Sequence, residues 1–332
     1  MSHLVLHIGT HRTGTTALQN LLWRESDRLA KSGVIYPRVS DRHSGHHGLI
    51  AEAAQLPATY HLAGGGLSAL RGLAKRYARQ DISLILSSEE FSRADSEKRV
   101  CFSDLAAIFS AFDEITVVCA LRPQWRFLQA IYLEISRNRS PPRPPALVAE
   151  AMETGTCQGL HMDYTVLHDR LISAFGDGAA RYLDFENLRS SPSDLITQVL
   201  DIAGCAPKLS AGLAVQRANV SAPPLPQWAA ALLSEPYPPP RDLPATIQRA
   251  LQRLGPDRPT SLLTRSEVAN LTATFAVSNA ALLERQRPHQ PWVTLTDPPV
   301  PENTLFREDV GIEFWLECGR ALLRPRLTEV AK

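Results

Sequence analysis

The sequence predicts an α/β fold: a mostly parallel central sheet with helices on both faces, three layers in all. Three observations carry that expectation. Short apolar, β-branched runs alternate with helical patterns from Leu4 to Ala203, the alternation that crossover-connected parallel strands require. Ile82–Leu86 and Ile115–Leu121 read as buried strands. A Gly/Thr loop joins the first strand directly to the first helix, the arrangement of a P-loop-type fold.

Taken in order, Leu4–Ile8 is the first strand, and Ala17, Leu18, Leu21 and Leu22 are spaced for one face of a helix. Val34-Ile35-Tyr36 is a second short strand, stopped by Pro37, which cannot donate to a ladder. Ile82–Leu86 follows, then Ile115–Leu121, the strongest strand candidate of the chain. Phe127, Leu128, Ile131, Tyr132 and Ile135 mark the helix after it. A helix over Tyr164–Phe175, a strand over Ala180–Phe185 and a helix over Ser193–Ala203 complete the alternation.

Beyond Ser221 the texture changes. Residues 222–260 read as a Pro-rich insertion, with stiff polyproline spacers around a helix at Ala245–Leu254. A helical pattern returns at Ser266–Arg287, and the tail offers one amphipathic stretch, Val310–Leu323. The expected organisation is one domain over residues 1–287, interrupted by the insertion, with a C-terminal extension over 288–332.

Composition narrows the function classes. The chain has 332 residues, 44% of them hydrophobic and 21% charged, which suits a globular protein with a real core. Lys plus Arg number 35 against 34 Asp plus Glu, a net charge of +1 that argues against a nucleic-acid partner. The 5 cysteines are scattered, with no CxxC and no zinc-ligand spacing, so reduced thiols and a cytoplasmic protein without a metal are expected. The first apolar run is too short for a signal peptide, and no run is long enough for a membrane span.

The most informative segment is Gly9-Thr-His-Arg-Thr-Gly-Thr-Thr16, with the frame G-x-x-x-x-G-x-T between strand and helix. Backbone N–H groups at such a junction converge on an anion, aided by the helix dipole. Two glycines permit the tight turn, and Thr15 and Thr16 add hydroxyl donors. A triphosphate P-loop places Lys before the final Thr. Here Thr15 stands in its place and the cation moves to Arg12. With no evident magnesium-binding carboxylate strand end, the loop suits a terminal anionic group that needs no metal.

His7-Ile-Gly-Thr-His-Arg-Thr-Gly-Thr-Thr-Ala-Leu-Gln19 resembles the 5′-phosphosulfate loop of sulfotransferases that use 3′-phosphoadenosine 5′-phosphosulfate (PAPS), with Arg12 where the family has Lys. The resemblance implies that Arg12, Thr13, Gly14, Thr15, Thr16 and Ala17 bind the phosphosulfate. It also implies that Arg122, at the end of Val117–Leu121, binds the 3′-phosphate. The family's partner serine, eight residues on, is Ala130 here, and Arg126, one turn after Arg122, is the residue that compensates.

Weaker likenesses to the bacterial carbohydrate and small-molecule branch continue along the chain. They are Ile85-Leu-Ser-Ser-Glu-Glu-Phe-Ser92, Tyr164–Pro207, Arg217-Ala-Asn-Val-Ser221 and Ser278-Asn279. The implied activity is transfer of a sulfuryl group from PAPS to a hydroxyl of a carbohydrate or small metabolite. Two alternatives stay open: a P-loop kinase with an unusual loop, and a catalytically idle nucleotide-binding protein.

Such chemistry needs a base for the attacking hydroxyl. One candidate is His47 or its neighbour His46, in the segment Ser44-Gly-His-His-Gly-Leu49, since imidazole titrates near neutrality. The other is Glu89 or Glu90, just past a strand's carboxyl end, where α/β sheets place their ligands. His11 reads as a lining residue, and His7 as a core residue. Gly64-Gly-Gly66, within Pro57–Gly66, reads as a lid over the acceptor.

Overall fold

The computed structural model describes residues 1–95, 97–188, 192–205 and 222–330. The segment Arg217–Ser221, read from the sequence as an Asn-x-Ser loop, lies outside the described residues, as do the last two residues of Tyr164–Pro207. The chain forms two compact units, neither continuous in sequence. One comprises residues 1–123, 155–218 and 275–297, and the other 124–154, 219–274 and 298–332.

The first unit is the α/β body. Its strands are β1 (His3–Gly9), β2 (Val34–Ile35), β3 (Ser83–Ser87) and β4 (Glu114–Leu121), followed by the short pair β5 (Thr156–Cys157) and β6 (Leu160–His161), and by β7 (Ala180–Asp184). Its helices include α1 (Thr15–Arg24), α2 (Ser26–Ala30), α3 (Gly66–Tyr77) and α4 (Phe102–Ile108). The sheet runs β2-β3-β1-β4-β7 with every pairing parallel, so the predicted parallel α/β architecture is the observed one. β5 and β6 form a separate antiparallel pair.

The side-chain period of 2 sorts the strands onto two faces. Leu4, Leu6, Leu84, Leu86, Val117 and Cys119 pack with α3, α4 and α7 (Tyr164–Phe175). Val5, Ile85, Val118 and Leu183 pack on the other face with Leu18, Leu21 and Leu22 of α1 and with α9 (Pro192–Ile202). All seven residues of β1 are buried, as a central strand covered on both faces requires. Between β7 and α9 lies the short helix α8 (Phe185–Leu188).

The start of the expected C-terminal extension packs into this unit. Gln290 bonds the edge of β7 from both ends of its amide, accepting from Tyr182 N at 3.0 Å and donating to Tyr182 O at 2.7 Å. Asp184 accepts from Thr294 Oγ1 and Thr296 N, both at 2.7 Å. The Gln290 amide occupies backbone groups that an edge strand otherwise exposes, and the compact unit runs past residue 287 to Asp297.

The second unit is helical. It holds α5 (Gln124–Ile135), α6 (Pro144–Thr154), α10 (Pro224–Ser234), α11 (Leu243–Arg253) and α13 (Ile312–Val330). The helix α12 (Arg265–Gln286) contributes its first ten residues to this unit and the rest to the other. The Pro-rich stretch thus holds two helices, with Pro238–Pro240 in the irregular segment between them. Pro224 opens α10 and Pro244 lies in the first turn of α11, where the missing N–H would have had no intrahelical partner. Buried Gln129 accepts from Leu262 N at 3.0 Å, and Trp228 meets Trp315 edge-on. No helix among the described residues is long and apolar enough to cross a membrane.

Candidate active site

The loop between β1 and α1 begins where the β1–β4 register shifts, between His7 and Gly9. Such an irregularity lets a chain leave its sheet sharply. Thr10 ties the departing chain to β4, with its N–H and hydroxyl both donating to Ala120 O at 3.0 Å. Thr13 is wholly buried, and its hydroxyl donates to Thr10 O at 2.6 Å. That hydroxyl closes the loop on itself.

Gly9 and Gly14 have φ of +89° and +77°, in the region that favours glycine, and Arg12 enters it at +63°. Gly14 is the N-cap of α1 and offers no side-chain cap. Its carbonyl accepts from the N–H groups of Ala17 and Leu18 at 3.1 and 3.3 Å. The N–H groups of Gly14, Thr15 and Thr16 bond to none of the described residues. This is an uncapped helix start with the loop chemistry of an anion site. Thr15 is buried, and the Thr16 hydroxyl is exposed.

Arg122, just beyond β4, is brought to this loop. Its Nη1 donates to Arg12 O at 3.3 Å, while Nε and Nη2 donate to Glu186 Oε1 at 2.9 and 2.6 Å. The guanidinium also stacks over Phe185, 4.8 Å from the ring centre. Tyr164 Oη fixes the Arg122 carbonyl at 2.7 Å. Arg126 belongs to the second unit, where it donates to Pro298 O at 3.0 Å and lies over Trp125. Ala130, also in that unit, is buried.

A second group of side chains comes from the end of β3. Glu89 follows that strand closely enough that a Cβ on Gly9 would lie 3.0 Å from the Glu89 Cβ. Burial pushes the Glu89 carboxyl up, but His11 and His47 oppose it, and its pKa is held below the ordinary carboxylate value. The group is thus ionised at neutral pH. Gln19, one turn along α1, donates to Glu89 Oε2 at 3.0 Å.

His47 shares a hydrogen bond of 2.8 Å between Nδ1 and Ser88 Oγ, and it lies edge-on to Tyr60. Its Nε2 faces Gly45, where any Cβ would approach it to 2.6 Å. Glu90 is paired with Arg93 and lies 4.0 Å from His11 Nε2. His11 has its pKa lowered by burial against the opposing charges of Glu90 and Glu89.

His46 is placed differently from its neighbour. It is 1% exposed, its Nε2 bonds Pro37 O at 2.7 Å, and its Nδ1 accepts from Ser87 N at 2.9 Å. Both ring nitrogens are consumed by backbone groups, and burial lowers its pKa to about 4. This excludes His46 as the base and makes it a fastener between the segment after β2 and the end of β3. His7, also wholly buried, meets Ser87 Oγ at 2.8 Å and has its pKa lowered to about 4 by burial.

The structure therefore gathers Arg12, Arg122, Gly14, Thr15, Thr16, Glu89 and His47 around one loop within one unit. Gln19, Ser88 and Glu186 complete it and carry no motif that assigns them a role. At Gly66 a Cβ would lie 2.3 Å from Leu49 O, so the start of α3 packs closely against that carbonyl. Among the described residues, no group of three or more His, Cys, Asp or Glu could hold a metal ion.

No family model and no curated protein matches the chain. Among solved structures, the chain is similar to the crystal structure of a sulfotransferase from Alicyclobacillus acidocaldarius, at 12% identity and a TM-score of 0.41. That likeness covers 70% of this chain and 96% of the other.

Proposed function

We propose that this protein is a PAPS-dependent sulfotransferase acting on a hydroxyl of a carbohydrate or small metabolite. The observation that carries the reading is the uncapped start of α1, with Arg12 in its loop and an ionised carboxylate, Glu89, against its first glycine. The sequence likeness of residues 7–19 to the phosphosulfate loop supports it. PAPS, when bound, supplies the sulfuryl group and leaves as 3′-phosphoadenosine 5′-phosphate.

The chain's own residues fit that donor. The N–H groups of Gly14, Thr15 and Thr16, with the Thr16 hydroxyl, are donors for the phosphosulfate end. Arg12 offsets negative charge on the transferring group, and preorganised donors of this kind are worth most where water is excluded. Arg122 braces the loop through the Arg12 carbonyl and contributes charge toward the 3′-phosphate, with Glu186 fixing its orientation. Glu89 takes the proton of the attacking hydroxyl, being ionised and adjacent to the loop. His47, held by Ser88, stands beside that carboxylate.

Calorimetric titration with 3′-phosphoadenosine 5′-phosphate tests the reading. Saturable binding by the parent protein, lost in Arg12→Ala, is expected, together with sulfuryl transfer to a hydroxyl panel that Glu89→Gln abolishes. Magnesium-dependent ATP turnover without nucleotide bisphosphate binding would replace this reading with a kinase. Tight binding with no transfer to any acceptor would replace it with an idle binding protein.

A further inference from the structure

Glu89 is a half-buried carboxylate, and such a group needs a hydrogen-bond donor to stay ionised in place. Among the described residues, one side chain hydrogen-bonds its carboxylate: Gln19. Gln19 is itself buried, and its two amide hydrogens serve two acceptors, Glu89 Oε2 at 3.0 Å and Ser87 Oγ at 3.3 Å. Its carbonyl faces Gly45, where a Cβ would lie 2.7 Å from Gln19 Oε1 and 2.6 Å from His47 Nε2. The next residue, Asn20, accepts from Ser44 Oγ at 2.6 Å, fastening the same segment to α1. One amide thus meets the end of β3, the segment that carries His47, and the helix whose first turn is the anion site.

We propose that Gln19 is a positioning residue: it ties the Glu89 carboxylate to α1, so that the base and the anion-binding helix start keep one fixed spacing. The inference rests on the reading of Glu89 as the base. Gln19 touches no reacting atom and acts through the carboxylate alone. Other titratable or charged groups face Glu89 from each neighbouring element. They are His7 on β1, His11 in the loop, His47 after Gly45 and Tyr36 after β2, with Glu90 and Arg93 on its own turn. Burial lowers the pKa of His7 to about 4, so His7 is neutral at pH 7, and burial lowers His11 as well.

The test is Gln19→Met, which keeps the side-chain length and removes both donors. Carbon-13 carboxyl NMR follows the Glu89 titration without any turnover, with Glu89→Gln identifying the resonance. An upward move of the Glu89 midpoint is expected, because a donor to the ionised form is lost. Affinity for 3′-phosphoadenosine 5′-phosphate stays within about twofold, while kcat falls roughly 10- to 100-fold, as for a misplaced catalytic group. Gln19→Asn, which withdraws the amide by one methylene, gives the same direction if the Met variant does not fold. An unmoved Glu89 midpoint in both variants overturns the proposal, and so does a loss of affinity in step with kcat. Absence of nucleotide binding by the parent protein, with the Glu89 shift intact, would instead overturn the proposed function and leave the clamp standing.

Discussion

Arg122 and Glu186 form an ion pair at 2.6 Å in which the Glu186 side chain is only 2% exposed. The pair is separated by 64 residues in sequence and locks the end of β4 to α8 beside the loop between β1 and α1. Removing one partner strands the other charge in a buried place. Glu186→Ala is expected to lower unfolding stability by about 3 kcal/mol, as for broken buried pairs. Urea denaturation of the two proteins measures it. Nucleotide bisphosphate affinity should fall with it, since Arg122 also holds the Arg12 carbonyl.

Gly9→Ala attacks the site without touching a charged group. The new methyl would meet the Glu89 Cβ at 3.0 Å and would sit on a backbone with φ of +89°. The left-handed conformation alone costs about 1–2 kcal/mol for a residue with a Cβ. The expected outcome is a folded protein, by circular dichroism, whose transfer rate drops at least as far as that of Gln19→Met. A variant with parental turnover would contradict the placement of Glu89 against the loop.

Acid should destabilise this fold earlier than carboxylate titration alone requires. Burial lowers His7, His46 and His161 to about 4, whereas unfolded chains take up these protons near 6.5. Between those values the unfolded state binds more protons, so stability is fully present above pH 6.5 and is lost as pH falls toward 4. The urea midpoint should drop between pH 7 and pH 5. In His7→Asn the pH slope should flatten by about one proton over that window.

Asp184 fastens the segment after α12 to the end of β7, through Thr294 Oγ1, Thr296 N and Thr296 Oγ1. Asp184→Ala removes all three charge-assisted bonds, each worth about 1.5–3 kcal/mol before partial replacement by water. A loss of about 2–3 kcal/mol is expected. Limited proteolysis should then cut the 288–297 segment before the rest of the first unit. Equal resistance in the two proteins would mean that the clamp does not hold the segment.

The sheet was legible because its strands are covered on both faces. β1, β3 and β4 had to be runs of apolar residues, and they stand out from the chain. The loop was legible for a related reason, since glycine at positive φ and a strand-to-helix junction are local features. The partners were not. Gln19 lies 70 residues from Glu89, so only the folded chain brings them together. His46 resembled His47 in sequence because its partners, Pro37 O and Ser87 N, are backbone groups with no residue signature. The helix over Pro224–Ser234 was not legible because proline suits a spacer and the first turn of a helix equally well, and Pro224 and Pro244 serve the latter.

The adjacency of β3, β1 and β4 has a further consequence. Each strand delivers one group at its carboxyl end: β3 the Glu89 carboxylate, β1 the loop that opens α1, β4 the Arg122 guanidinium. Neighbouring strands stand about 4.8 Å apart by the length of their hydrogen bonds, so the sheet acts as a ruler for the three. No loop has to find the others. The chemistry at one strand end can be exchanged while the spacing of the remaining two persists. A slip of one residue between β1 and β3 would put His7 and Ser87 on opposite faces and undo the arrangement at a stroke.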